Sequence, residues 1–167
     1  MTGGDPFVLP EEASAAEAIA AIAEELSLFD GWEERYRHII DLGQGLPPFP
    51  AAWMNEAHRV SGCQSRVWLG RELRDGRLFL AGASDAAIVS GLVALLLRVY
   101  SGRAPDEIAE TDPRFLIDLG LIGALSTNRG NGIAAMARRI RAMAREAAGE
   151  AGDKAAGGAA ALTAAGR

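Results

Sequence analysis

The chain has 167 residues and is 49% apolar, which is enough for one hydrophobic core and requires no second domain. No uninterrupted apolar run approaches the ~20 residues that span a bilayer, and a net charge of −5 argues against non-specific attachment to nucleic acid, whose phosphates favour basic surfaces. One cysteine and two histidines exclude an internal disulfide and a zinc site of the usual cysteine and histidine spacing.

In chain order, the opening MTGGDPFVLPEEASA has no basic segment followed by an apolar one, so no secretory signal is expected, and a cytoplasmic setting fits the lone thiol. Alanine and glutamate dominate Pro10 to Ser27, with Pro10 suited to a first helical turn, and a helix is predicted there without an assigned docking face. Asp30 and Glu33 have the spacing of a capping box, and Trp32, Tyr36, Ile39 and Ile40 recur at helical intervals before Gly43. Leu46 to Pro50, LPPFP, cannot continue a helix, because its prolines lack amide donors and push preceding residues towards extended backbone. Trp53 and Met54 are apolar anchors, and His58 to Ser61 is a short extended segment beyond them.

Arg66 to Arg74 has the composition of a strand, with Val67, Leu69 and Leu73 on one face. Asp75-Gly76 signals a tight hairpin, and Leu78 to Ala81 returns beside the first strand. Ser84 is suited to cap the most apolar helix, Asp85 to Ser101, in which Ile88, Leu92, Leu95, Leu96 and Val99 leave little polar face. That helix is expected at the centre of the core, ending at Gly102. Pro105 and Pro113 each fit the first turn of a short helix, the second capped by Asp112 and stopped near Gly120. A last helix is predicted from Asn128 to Ala148, with Ile133, Met136, Ala137, Ile140, Met143 and Ala144 as its apolar stripe. Its arginines, Arg138, Arg139, Arg141 and Arg145, form a solvated face or meet an acidic partner. After Gly149 the chain lacks large apolar groups, and a flexible tail is expected.

The chemistry gathers in RVSGCQSRVWLG, Arg59 to Gly70. A lone cysteine is most often a small buried hydrophobe. Here Gly62, Gln64 and Ser65 suit a projecting loop, and Arg59 and Arg66 favour the thiolate, which is the nucleophilic form. His58 precedes Cys63 by a distance on the order of 16 Å if the chain is extended, so a Cys–His hydrolase needs a tight fold-back. His38 falls inside a predicted helix, as a surface or boundary residue. Gly120 to Gly132 is glycine-rich but lacks the order of strand, glycines and lysine that cradles phosphates. Three readings of Cys63 remain: sulfur transfer by thiolate attack on a sulfur–sulfur bond, a monothiol peroxidase or peroxide sensor, and a non-catalytic adaptor.

RVSGCQSRVWL resembles the signature of the SufE family of sulfur acceptors. DGWEERYRHIIDLGQGLPP, SDAAIVSGLVALLLRVYSGRAP and LSTNRGNGIAAMARRIRA resemble the same family in the same order, over Leu26 to Ala144. The resemblance implies an α+β, SufE/IscU-like fold with a small antiparallel sheet packed against several helices. It places the SufE-like domain over 26–148, and the composition of the ends leaves a variable, partly helical N-terminal segment over 1–25 and a low-complexity flexible tail over 149–167. Cys63 would take the outer sulfur of a persulfide from a SufS- or CsdA-like cysteine desulfurase, stimulate that enzyme, and pass sulfur to a SufBCD-like scaffold for iron–sulfur clusters. The pyridoxal phosphate (PLP) belongs to the desulfurase, and the chain needs no cofactor or metal of its own. Arg59, Gln64, Ser65, Arg66, Asp85 and Arg129 are the supporting or partner-contacting residues. Arg129 belongs to a Ser-x-x-Arg-x-x-Gly pattern with Ser126 and Gly132, and is equally an arginine in a first helical turn held by ordinary surface contacts. Asp85 equally supplies favourable charge at a helix start. His58 stands where the family commonly has asparagine.

Overall fold

Asp75 and Gly76 both sit at positive φ, 50° and 77°, the backbone that a two-residue hairpin loop demands and that Asp-Gly adopts with little strain. They fold β1 (Val67–Arg74) onto β2 (Arg77–Ser84) as an antiparallel pair, with Arg74 opposite Arg77 and Val67 opposite Ser84. β2 runs past the predicted Ala81 because Ala83 and Ser84 keep pairing with Trp68 and Val67. The computed structural model describes residues 4–164, and of residues 124 and 151–164 the backbone alone.

Around this hairpin stand α1 (Ala15–Ser27), α2 (Trp32–Gln44), α3 (Ala87–Tyr100), α4 (Pro105–Glu110), α5 (Phe115–Asp118), α6 (Leu121–Ala124) and α7 (Thr127–Ala164). Two strands and seven helices among the described residues make the class α+β, as expected. Ten of the 14 residues of α3 are buried, so it has no polar face to offer water and must lie between other elements. It packs against β2, α1, α2 and α7. Gly91 lets α2 approach it closely, since a side chain there would collide with the Ile39 carbonyl. Leu78 and Leu80 of β2, both fully buried, join this core.

Several boundaries differ from the sequence reading, each for a local reason. α1 begins at Ala15 rather than near Pro10, because the Ser14 hydroxyl accepts from Glu17 N at 3.1 Å and caps it. Its docking is now assigned: Ala15, Ala18, Ile22 and Leu26 are buried. α2 starts after Gly31 with no side-chain cap, so Asp30 does not act as predicted. Ser84 stays in β2, and α3 begins only at Ala87. Residues 149–167 were expected as a tail, yet α7 continues through Gly149 to Ala164, consistent with alanine being the best helix former. Residues 1–3 of the N-terminal segment and 165–167 of the tail lie outside the described residues. Among the described residues no helix is long and apolar enough to cross a membrane.

Candidate functional site

The pairing of β1 does not stop at β2. Val60 N donates to Val67 O and Leu69 N to His58 O, both at 2.9 Å, and Arg59 bridges to Trp68. Residues 61–66 thus form a second, wider hairpin loop that carries Cys63. Gly62 turns the chain at φ 93°, and a Cβ there would stand 3.2 Å from the Ala135 Cβ of α7, so both backbone and space favour glycine. The far foot of the loop is clamped. Asp85 Oδ1 accepts from Arg66 N at 3.1 Å, Asp85 Oδ2 accepts from Arg66 Nε at 3.0 Å, and Ser84 Oγ donates to Arg66 O at 2.8 Å.

The tip of the loop is held lightly. Cys63 Sγ lies 3.5 Å from Gly132 O, a weak thiol contact, and a Cβ at Gly132 would lie 3.6 Å from that sulfur. A group larger than methyl at 132 would press on the thiol. Between the loop, α3 and the start of α7 is a cavity of about 310 Å³. Its inner wall is apolar, made by the buried Val89, Leu92, Ile133 and Met136, and its outer wall is polar, made by Gln64, Ser65, Ser126, Asn128 and Arg129. Arg129 Nη1 donates to the Tyr36 hydroxyl at 3.0 Å, and its guanidinium carbon lies 6.0 Å from the centre of that ring. Among the described residues no carboxylate pairs with it.

Electrostatics at the thiol run against the sequence expectation. Burial pushes the Cys63 thiol above its ordinary value, and Arg59 offsets only part of that rise. Arg66 does not stabilise the thiolate: its guanidinium is committed to Asp85 and lies over the Trp68 ring, 5.7 Å from its centre. In return, the hydrogen bond from Arg66 holds the Asp85 carboxyl below the usual carboxylate range. The resting thiol is therefore mostly protonated at neutral pH.

A family model described as SufE, Fe–S metabolism associated domain, matches residues 20–144. The chain belongs to the SufE family. Uncharacterized SufE-like proteins of Rhizobium meliloti (strain 1021) and Rhizobium etli are 40% and 38% identical to it, over 74% and 72% of this chain and 91% and 84% of theirs. A hypothetical protein from Thermus thermophilus, solved in solution, shares the fold with a TM-score of 0.66 at 23% identity, covering 78% of this chain and 95% of that one.

Within this SufE domain the residues singled out in the sequence fall into two groups. Gln64, Ser65 and Arg129 meet Cys63 around one cavity, while Asp85 and Arg66 form the clamp behind the loop. Arg59 stands at the near foot and pairs with Glu56 at 3.3 Å. His58 is not a base for the thiol: its ring stacks on Trp53 with centres 5.5 Å apart, and Nδ1 meets Asn55 Oδ1 at 2.9 Å. His38 sits by Glu25 at 3.5 Å and against the Phe29 ring. Two late arginines contact this chain itself, Arg141 donating to Ala109 O at 2.8 Å and Arg139 pairing with Glu146 at 3.3 Å. Tyr36 was missed as a site residue, because its spacing put it in the apolar stripe of α2; the one general signal was that a tyrosine hydroxyl in such a stripe needs a partner, with nothing in the sequence to name Arg129. Asn128 carried no signal beyond its place beside Arg129. Among the described residues no group of three or more His, Cys, Asp or Glu is placed to hold a metal ion.

Proposed function

We propose that this SufE-family protein, whose domain is tied to iron–sulfur metabolism, carries sulfur as a persulfide on Cys63 in the cytoplasm. It takes the sulfur from a PLP-dependent cysteine desulfurase, stimulates that enzyme, and delivers the sulfur to a cluster-assembly scaffold. One observation carries the reading: the sole thiol rides on a loop clamped at one foot by Asp85 and held at its tip by a weak contact with Gly132. Such a loop can enter another protein's active site without disturbing the hairpin behind it.

In the transfer step the Cys63 thiolate attacks the outer sulfur of the desulfurase persulfide. The donor's sulfur–sulfur bond breaks, the donor cysteine leaves as a thiolate with the bonding pair, and Cys63 keeps the outer sulfur as a persulfide. No external oxidant or reductant enters. In the resting position burial lowers the thiolate fraction of Cys63, and leaving the packing against Gly132 relieves that part of the shift. Gln64, Ser65, Arg59 and Arg66 surround the advancing thiol and are the first contacts offered to the partner, with Arg129 behind them.

The peroxidase reading predicts fast oxidation of Cys63 by peroxide without any persulfide transfer. The adaptor reading is separated by experiment. Alanine release by a matching desulfurase is measured with the parent protein and with Cys63→Ser. Sulfur carriage predicts stimulation by the parent alone, whereas equal stimulation by Cys63→Ser would make the protein an adaptor.

A further inference from the structure

The cavity beside Cys63 is far larger than a carried sulfur atom needs. Its volume of about 310 Å³ is roughly ten times a water's share of the liquid, ~30 Å³, and falls at the lower end of small-molecule sites. Its chemistry is graded, from the buried apolar Val89, Leu92, Ile133 and Met136 to the polar outer wall. Arg129 is the one charged residue among those lining it. Its side-chain partner is the neutral Tyr36 hydroxyl, so the guanidinium charge is oriented but uncompensated among the described residues.

We propose that this cavity binds a small anionic sulfur donor, a molecule with a transferable outer sulfur attached to an anionic group, with Arg129 taking the charge and Tyr36 acting as the positioning residue for Arg129. The soft outer sulfur lies towards Cys63 and the apolar wall, and the anionic end lies towards Arg129. Thiosulfate is the simplest member of the class. The Cys63 thiolate attacks its outer sulfur, the sulfur–sulfur bond breaks, and sulfite leaves with the bonding pair, so that thiolate plus thiosulfate give a Cys63 persulfide anion plus sulfite with charge and atoms conserved. This rests on reading Cys63 as a sulfur carrier and gives that carrier a second source, independent of the desulfurase.

The test uses the full chain with excess thiosulfate and intact-mass readout, for the parent, Cys63→Ser, Arg129→Gln, Arg129→Lys and Tyr36→Phe. The parent and Arg129→Lys should gain one sulfur atom that reductant removes, and Cys63→Ser none. Arg129→Gln should gain it about fivefold more slowly, the size of one exposed charge contact, with Tyr36→Phe in between. A second readout compares alkylation of Cys63 by iodoacetate, which is anionic, and by iodoacetamide, which is neutral. Their rate ratio cancels the thiolate fraction and reports recognition of the anion; it should fall about fivefold in Arg129→Gln and hold in Arg129→Lys. Absence of sulfur gain in the parent, or a ratio unmoved by Arg129→Gln, overturns the proposal. Charging by a cysteine desulfurase in the same preparation distinguishes the two readings: success there with failure on thiosulfate removes this site and leaves the carrier, and failure of both removes the carrier as well.

Discussion

β1 is entered and left through two hairpin loops that are shaped by opposite means. The Asp75-Gly76 turn is set by its own backbone, with positive φ at both residues and nothing within 4 Å of where a Gly76 Cβ would stand. The 61–66 loop has one positive-φ residue, Gly62, and is shaped from outside, by Asp85 and Ser84 at one foot and by Gly132 and Ala135 at the tip. A turn fixed by its own residues moves only if the hairpin opens. A loop fixed by contacts with another helix moves when those contacts are exchanged for others, and the thiol sits on the loop of this second kind.

Substitution at the two glycines should break the comparison most sharply. Gly62→Val puts a β-branched residue at positive φ and against Ala135; sulfur uptake from a desulfurase should fall tenfold or more, about what a misplaced reacting group costs. Gly76→Val should destabilise the fold by about 1–2 kcal/mol through the same backbone penalty, seen as a lower denaturation midpoint, while uptake per folded molecule stays at the parent rate. Equal loss of uptake in both variants would mean that the two loops are not mechanically distinct.

Smaller changes refine the picture. Asp85→Ala frees Arg66 at the foot of the wide loop, so hydrogen exchange at residues 61–66 should quicken while exchange at Asp75-Gly76 stays the same. The smallest effect concerns pH. Because burial favours the protonated thiol, the rate of Cys63 alkylation by iodoacetamide should rise through a midpoint above the ~8.5 of a free thiol. Arg59→Gln should move that midpoint higher still, since Arg59 is the charge that favours the thiolate. A midpoint below that of a free thiol would restore the simpler view drawn from neighbouring arginines.

The same contrast explains what was legible in the sequence. Asp75-Gly76 and the apolar run of α3 are local signals; the turn is where the residues predict, and the helix is too, apart from its start at Ala87 instead of Asp85. The tip of the cysteine loop packs against Gly132 and Ala135 rather than projecting, but that a loop carries Cys63 was legible from Gly62, Gln64 and Ser65. Its surroundings were not. The cavity needs Gly132 against Cys63, 69 residues away, and the anchoring of Arg129 needs Tyr36, 93 residues away. Charge was misread for a related reason: Arg66 is close to Cys63 in sequence, yet Asp85, brought in by the β1–β2 pairing, holds its guanidinium. Helix ends were misplaced where a hydroxyl supplied a better cap, as at Ser14, or where alanine let the helix run on, as in α7.

Intact-protein mass after incubation with a matching cysteine desulfurase and free cysteine, beside Cys63→Ser, tests sulfur carriage most directly. A carrier predicts the gain of one sulfur atom on the parent, lost on reduction and absent from the variant. No gain, with a desulfurase shown to be active and to bind the protein, would contradict it.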